Sequence, residues 1–162
     1  MLSLVKNLCG RYFEEYLSAC FDVADTFSLT ENGWEAAKKS GESVRILELL
    51  EPYFIRTVKV QHWFCQRVPA GHEKEVYLFS ITDASKKIIL QEYNSIFYDD
   101  TVWMKPEDIC FFKNGKLISG SLSHERICYV YDYEDMFSER VTLQSAWKII
   151  PHNQNEQINL PQ

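Results

Sequence analysis

The run Asp108-Ile109-Cys110-Phe111-Phe112-Lys113-Asn114-Gly115-Lys116-Leu117-Ile118-Ser119-Gly120 constrains this chain more than any other stretch. Asn-Gly between two apolar runs is a strong local hairpin signal, because a two-residue type I′ turn needs positive φ at both central positions. A second pairing-competent segment follows at Arg126–Tyr133. The region therefore predicts the centre of an antiparallel sheet. Gly120 falls within the pairing region, where its spacing from Gly115 marks a bulge in the strand after the turn.

The elements before it read by their period. Val5, Leu8, Cys9, Tyr12, Tyr16, Cys20, Val23, Ala24 and Phe27 recur at three- and four-residue steps, which predicts one amphipathic helix over residues 3–27, capped by Ser3. A short helix is expected over Trp34–Lys39, and another over Ser43–Glu51, stopped by Pro52. From Ile55 the period changes to two, and Val58, Val60, His62 and Phe64 alternate with Lys59, Gln61, Trp63 and Cys65. Glu75–Thr82 reads as the next strand. Residues 86–98 fit a bulged strand or a helix; a meander with Glu75–Thr82 favours strand at Lys87–Glu92. Pro106 makes Thr101–Glu107 a connection. Residues 134–146 suit a short helix or turn, with Trp147, Ile149 and Ile150 docking late. Helices first and strands second is the α+β order, so the expected fold is N-terminal helices packed on one mostly antiparallel sheet of about five strands. Residues 1–150 form the expected single domain. Residues 151–162, rich in Asn and Gln, form a polar, mobile tail.

Composition narrows the partner more than the chemistry. The chain has 162 residues, 23 acidic against 17 basic side chains, and a net charge of −6. Nucleic acid as the main ligand needs a clustered basic face, which this balance opposes. An acidic protein suits a basic protein partner. The five cysteines, at positions 9, 20, 65, 110 and 128, match no CxxC framework, and a reduced, cytoplasmic protein is expected. Cys110 and Cys128 fall within reach of each other in the expected sheet. The N-terminus does not read as a signal peptide, and no window approaches the roughly 18 apolar residues of a membrane helix.

The chemistry-bearing residues fall short of any catalytic pattern. The four histidines show no HxH, HxxxH or HExxH spacing, so no metal site is expected, and His62 reads as a partly buried structural residue. Cys65 or Cys110 with His124 lacks any local group that would activate the thiol. Asp99-Asp100, Glu107-Asp108 and Glu73-Lys74-Glu75 read as surface carboxylates at strand ends. No phosphate-binding loop and no cofactor motif is present in the sequence.

One constellation suits binding. Tyr98-Asp99-Asp100 places an aromatic beside two acids, and Tyr131 through Glu139 repeats that pairing more densely. Aromatic anchors fill interface pockets, and carboxylates pair with Lys and Arg on a partner. The plainer reading is that Tyr129, Tyr131 and Tyr133 are alternate strand residues and the acids solvated loop charges. The contacts expected from the binding reading are Tyr98, Asp99, Asp100, Asp132, Tyr133, Glu134 and Asp135. Over residues 100–133, the Asp108–Leu117 run, His124-Glu125 and the aromatic strand after them resemble small acidic bacterial proteins that act as immunity proteins for secreted or contact-delivered toxins. The resemblance implies a cytoplasmic acidic protein that binds and blocks one cognate toxin, often a nuclease. It carries over no catalytic residue. The expected protein is accordingly non-enzymatic, a monomer or homodimer that occludes a basic toxin. The alternative is a small enzyme or small-molecule binder with a pocket between the first helix and the sheet, lined by Trp63, Tyr77 and Phe79.

Overall fold

The chain was analysed as a computed structural model that describes residues 1–31, 41–97, 105–131, 145–151 and 159–160. The Asn114-Gly115 turn forms as the sequence dictates. Asn114 has φ 50° and Gly115 φ 75°, and Lys113 pairs directly with Lys116 across them. That turn joins β7 (Glu107–Lys113) to β8 (Lys116–Leu122), and β9 (Ile127–Val130) continues the sheet.

The rest of the sheet is larger than expected. Around the hairpin assemble β1 (Leu2–Leu4), β2 (Thr26–Thr30), β3 (Phe54–Val60), β6 (Lys74–Ser80) and β10 (Trp147–Ile149). The order is β10-β1-β9-β8-β7-β2-β6-β3, eight strands rather than about five, and each neighbouring pair is antiparallel. β4 (His62–Trp63) and β5 (Gln66–Arg67) form a separate small hairpin. The described helices are α1 (Arg11–Val23), α2 (Gly41–Leu50) and α3 (Asp83–Glu92), so the architecture is α+β but the helices are not all N-terminal. None is long and apolar enough to cross a membrane.

Two expectations are corrected here. The helix over 3–27 is in fact strand, helix, strand. Gly10 takes φ 54°, which starts α1 only at Arg11. At the other end Ala24 is extended, and Thr26 and Thr30, β-branched, begin and end a strand buried along most of its length. Lys87–Glu92 is helix, not strand. Thr82 caps it: its Oγ1 accepts from the Ser85 N–H at 3.1 Å, and Ser85 Oγ accepts from the Thr82 N–H at 2.9 Å. This reciprocal box satisfies two backbone donors. Trp34–Lys39 lies outside the described residues, as does most of 134–146. Of the tail, Asn159 bridges to Lys116 and the Leu160 N–H donates to the Gly115 carbonyl at 2.8 Å.

Both faces of the sheet are covered. On one, α1 inserts Phe13, Tyr16, Leu17, Cys20 and Phe21; the Phe21 ring sits 5.5 Å from Phe27 and 5.1 Å from Phe111. Ile46 and Leu50 of α2 and Ile89 of α3 complete that core. On the other, Trp63 and Phe64 from the β4–β5 hairpin cover Val76, Leu78, Cys110, Phe112 and Leu117. Alternation along β7 thus sends Phe111 to one core and Cys110 and Phe112 to the other. Cys110 and Cys128 point to opposite faces, and both are free thiols. Gly120 serves the second core through a close approach. A Cβ there would lie 2.8 Å from Phe64 Cδ2. The register irregularity of the hairpin falls elsewhere, between Phe111 and Phe112 opposite Ile118.

Gly120→Ala is therefore expected to destabilise the fold by about 1–3 kcal/mol through overpacking. Urea unfolding reads the loss. In a Phe64→Leu background the penalty shrinks, since the clashing ring is gone; an equal penalty in both backgrounds contradicts the packing account.

Candidate functional site

Polar groups converge at the end of the β7–β8 hairpin opposite the turn. Continuing the register past Cys110↔Gly120 sets Glu107 and Asp108 across from Leu122 and Ser123, with His124 next in the chain. A second device aims Asp108. Between Ser28 and Thr30 of β2 the partner residues jump from Cys110 to Glu107, so β7 carries an extra residue. At that bulge Asp108 takes φ 57°. Asp tolerates this left-handed region better than most residues, and bulges re-aim side chains.

Asp108 is 1% exposed and accepts from three donors. Its Oδ1 accepts from the Ser123 N–H at 2.8 Å. Its Oδ2 accepts from Lys74 Nζ at 2.9 Å and from Thr30 Oγ1 at 3.3 Å. Lys74 also donates to Gln66 Oε1, tying the β4–β5 hairpin to the sheet. Glu107 stands in contrast. It is 7% exposed, and its carboxylate has no hydrogen-bond or ion-pair partner among the described residues. Burial first, and then the neighbouring Asp108 charge, pushes its carboxyl up to about 7, against a partial pull from Lys74. The His124 side chain is half-exposed, 3.9 Å from Glu125. One donor atom each from Glu107, Asp108 and His124 lies within 4.8 Å of the others, so these three residues could hold a metal ion.

A related group joins Glu31, just past β2, to Glu75 and Tyr77 of β6. The Tyr77 hydroxyl lies 3.2 Å from Glu31 Oε2 and 3.3 Å from Glu75 Oε2. Burial and the two carboxylates push its phenol well above the usual range. The buried thiols of Cys20, Cys110 and Cys128 are likewise pushed up by burial, the reverse of what a nucleophile needs.

The residues expected as partner contacts, Tyr98, Asp99, Asp100, Asp132, Tyr133, Glu134 and Asp135, lie outside the described residues. Their described neighbours Phe97 and Tyr131 are buried, Tyr131 in the second core. Glu107 and Asp108 stand at a strand end but are buried rather than at the surface. His62 is exposed rather than partly buried. Trp63 belongs to the second core, so it cannot line a space under α1. The small apolar space found there, between Phe13, Leu17, Ile89, Tyr93 and Ile96, holds no more than about one water molecule. Sequence spacing missed the meeting of His124 with the Glu107-Asp108 pair. The available signal was the hairpin itself: folding about Asn114-Gly115 brings 107–108 opposite 122–123. Comparison with protein-family models, with curated proteins and with solved structures finds no match.

A buried carboxyl with a raised pKa gives a signed pH effect. The unfolded chain loses this proton near 4.5 and the folded chain near 7. Between them the unfolded state binds fewer protons, so stability falls as pH rises, and the loss is complete above that window. The expected contribution is on the order of 2 kcal/mol. Glu107→Gln should remove that slope and exceed the parent in stability at mildly alkaline pH. Urea midpoints across the window check this; parallel slopes for the two proteins would assign the effect elsewhere.

Proposed function

We propose that this chain is a non-enzymatic, cytoplasmic binding protein that captures a basic protein partner, in the manner of an immunity protein blocking a toxin. The observation that carries the reading is an exposed edge. β3 is one of the two terminal strands of the sheet, and on it and on α2 a run of apolar side chains is exposed: Val44, Leu49, Phe54 and Ile55 are each 42–50% exposed. Exposed carboxylates Glu48 and Glu51 stand beside them in the chain. Apolar exposure with a polar surround is the make-up of a protein-binding surface. A net charge of −6 favours a cationic partner and speeds its approach.

The tyrosine–carboxylate segments extend this reading. Tyr98, Asp99, Asp100, Asp132, Tyr133, Glu134 and Asp135 are proposed to pair with Lys and Arg of the partner. Blocking is then steric and electrostatic, with no bond made or broken. The cognate toxin, a nuclease in the sharpest form of the proposal, would be held as a complex with the monomer or homodimer.

Capture from the native host by the immobilised chain tests this. A basic protein should be retained at low salt and released as salt rises. Reversing charge at Asp132, Glu134 and Asp135 together should weaken retention at least about tenfold, with the far-ultraviolet spectrum unchanged. Ile55→Lys should weaken it separately if the β3 edge contributes. Undiminished retention by the triple variant at low salt removes those residues from the interface.

A further inference from the structure

We propose that Glu107, Asp108 and His124 together bind one divalent first-row transition-metal ion, zinc or manganese. Three observations converge. Their donor atoms lie within 4.8 Å of one another. Donors around one such ion, at bonds of about 2.0–2.2 Å, stand roughly 3–4 Å apart, so rotation of the half-exposed His124 ring closes the set. Glu107, 7% exposed, has no hydrogen-bond or ion-pair partner among the described residues, and its carboxylate belongs to this cluster. A buried carboxylate without a partner is costly, and a cation is the partner its chemistry calls for.

The donor set selects the metal. Calcium takes six to eight oxygens and magnesium keeps mostly water, so an imidazole among the ligands disfavours both. Two carboxylates and one imidazole suit zinc or manganese, with positions left for water on the exposed His124 side. Asp108 is already oriented. The Ser123 N–H, Thr30 and Lys74 hold its carboxylate, the part that outer partners play around metal ligands. Lys74 also sets a limit, because its ammonium 2.9 Å from Asp108 Oδ2 opposes a second cation. The site is therefore one of moderate affinity, and the charge of Lys74 tunes it.

The test uses the full chain, stripped with a chelator and titrated with zinc chloride and, separately, manganese chloride by calorimetry. Cobalt chloride is added for its visible absorption. One ion per chain, bound in the micromolar range, is expected. His124→Ala, a change at a half-exposed side chain, should weaken binding at least about tenfold, and Glu107→Gln should do the same. Lys74→Gln, which keeps a donor for Asp108 but removes the opposing charge, should tighten binding several-fold. Equal affinity in the parent and His124→Ala would assign the ion to adventitious ligands such as the exposed Cys9 thiol, and overturn the proposal. So would the absence of saturable binding at millimolar metal, or a Lys74→Gln variant that binds no tighter than the parent.

Discussion

The Asp108 carboxylate is the interaction on which the arrangement of this end of the molecule depends. It accepts from a strand on one side of β7 through Thr30, from the turn after β8 through Ser123, and from β6 through Lys74. Lys74 carries the connection on to Gln66 and so to the hairpin that covers the second face. A charge this deeply buried survives only when paired and hydrogen-bonded. Breaking such a pair from one side typically costs 3–5 kcal/mol, more than a surface ion pair by several-fold. The bulge and the left-handed backbone at Asp108 are the local cost of directing the side chain there, and three donors offset it.

The same strand imposes the two-sided core. β7 lies between β2 and β8, so neither edge nor face meets water, and its residues divide between two clusters. The helical side is large enough to take whole aromatic side chains from α1. The opposite side receives a two-stranded hairpin, with Leu160 beside it, and the tight fit of the hairpin requires the missing Cβ of Gly120. One polar pair crosses the helical core. The Tyr16 hydroxyl meets Ser119 Oγ at 2.7 Å, and Ser119 is itself bonded to the Tyr129 carbonyl at 2.9 Å. A slip of one residue in β8 would exchange Ser119 for Gly120 and expose every apolar side chain of the strand to the wrong face. Packing and hydrogen bonding therefore specify one register together.

What could be read from the sequence follows from which signals are local. The hairpin is local: Asn114-Gly115 and its flanking runs suffice, and β7 and β8 stand where they were expected. α2 and β3 are also legible, one by its apolar spacing and one by alternation. β1 was hidden because Val5, Leu8 and Cys9, just after it, satisfy a helical spacing with Tyr12 by coincidence, and the positive φ of Gly10 starts α1 only at Arg11. β2 was hidden because a strand buried on both faces does not alternate. α3 carried a readable cue, Thr82 and Ser85 ahead of Ile89 and Tyr93, which the run Ile88-Ile89-Leu90 outweighed. The cluster around Asp108 is non-local. Thr30, Lys74 and Ser123 come from three separate parts of the chain, and no spacing rule joins them. Only His124 opposite Glu107-Asp108 was within reach of the hairpin register.

The contrast between the two adjacent carboxylates is the sharpest functional cue in the described residues. Among the described residues Asp108 takes three donors, and Glu107, one residue away and nearly as buried, takes none. The strand is fixed on both sides by β2 and β8. A native structure rarely leaves a buried polar group unmade without a reason. The unpaired group here lies beside a side chain that reaches solvent, so the unmet demand of Glu107 and the access provided by His124 occur at one place. A rigid, paired Asp108 next to an unpaired Glu107 is the asymmetry of a site that holds its geometry before anything binds, and stability given up at one carboxylate is consistent with that role.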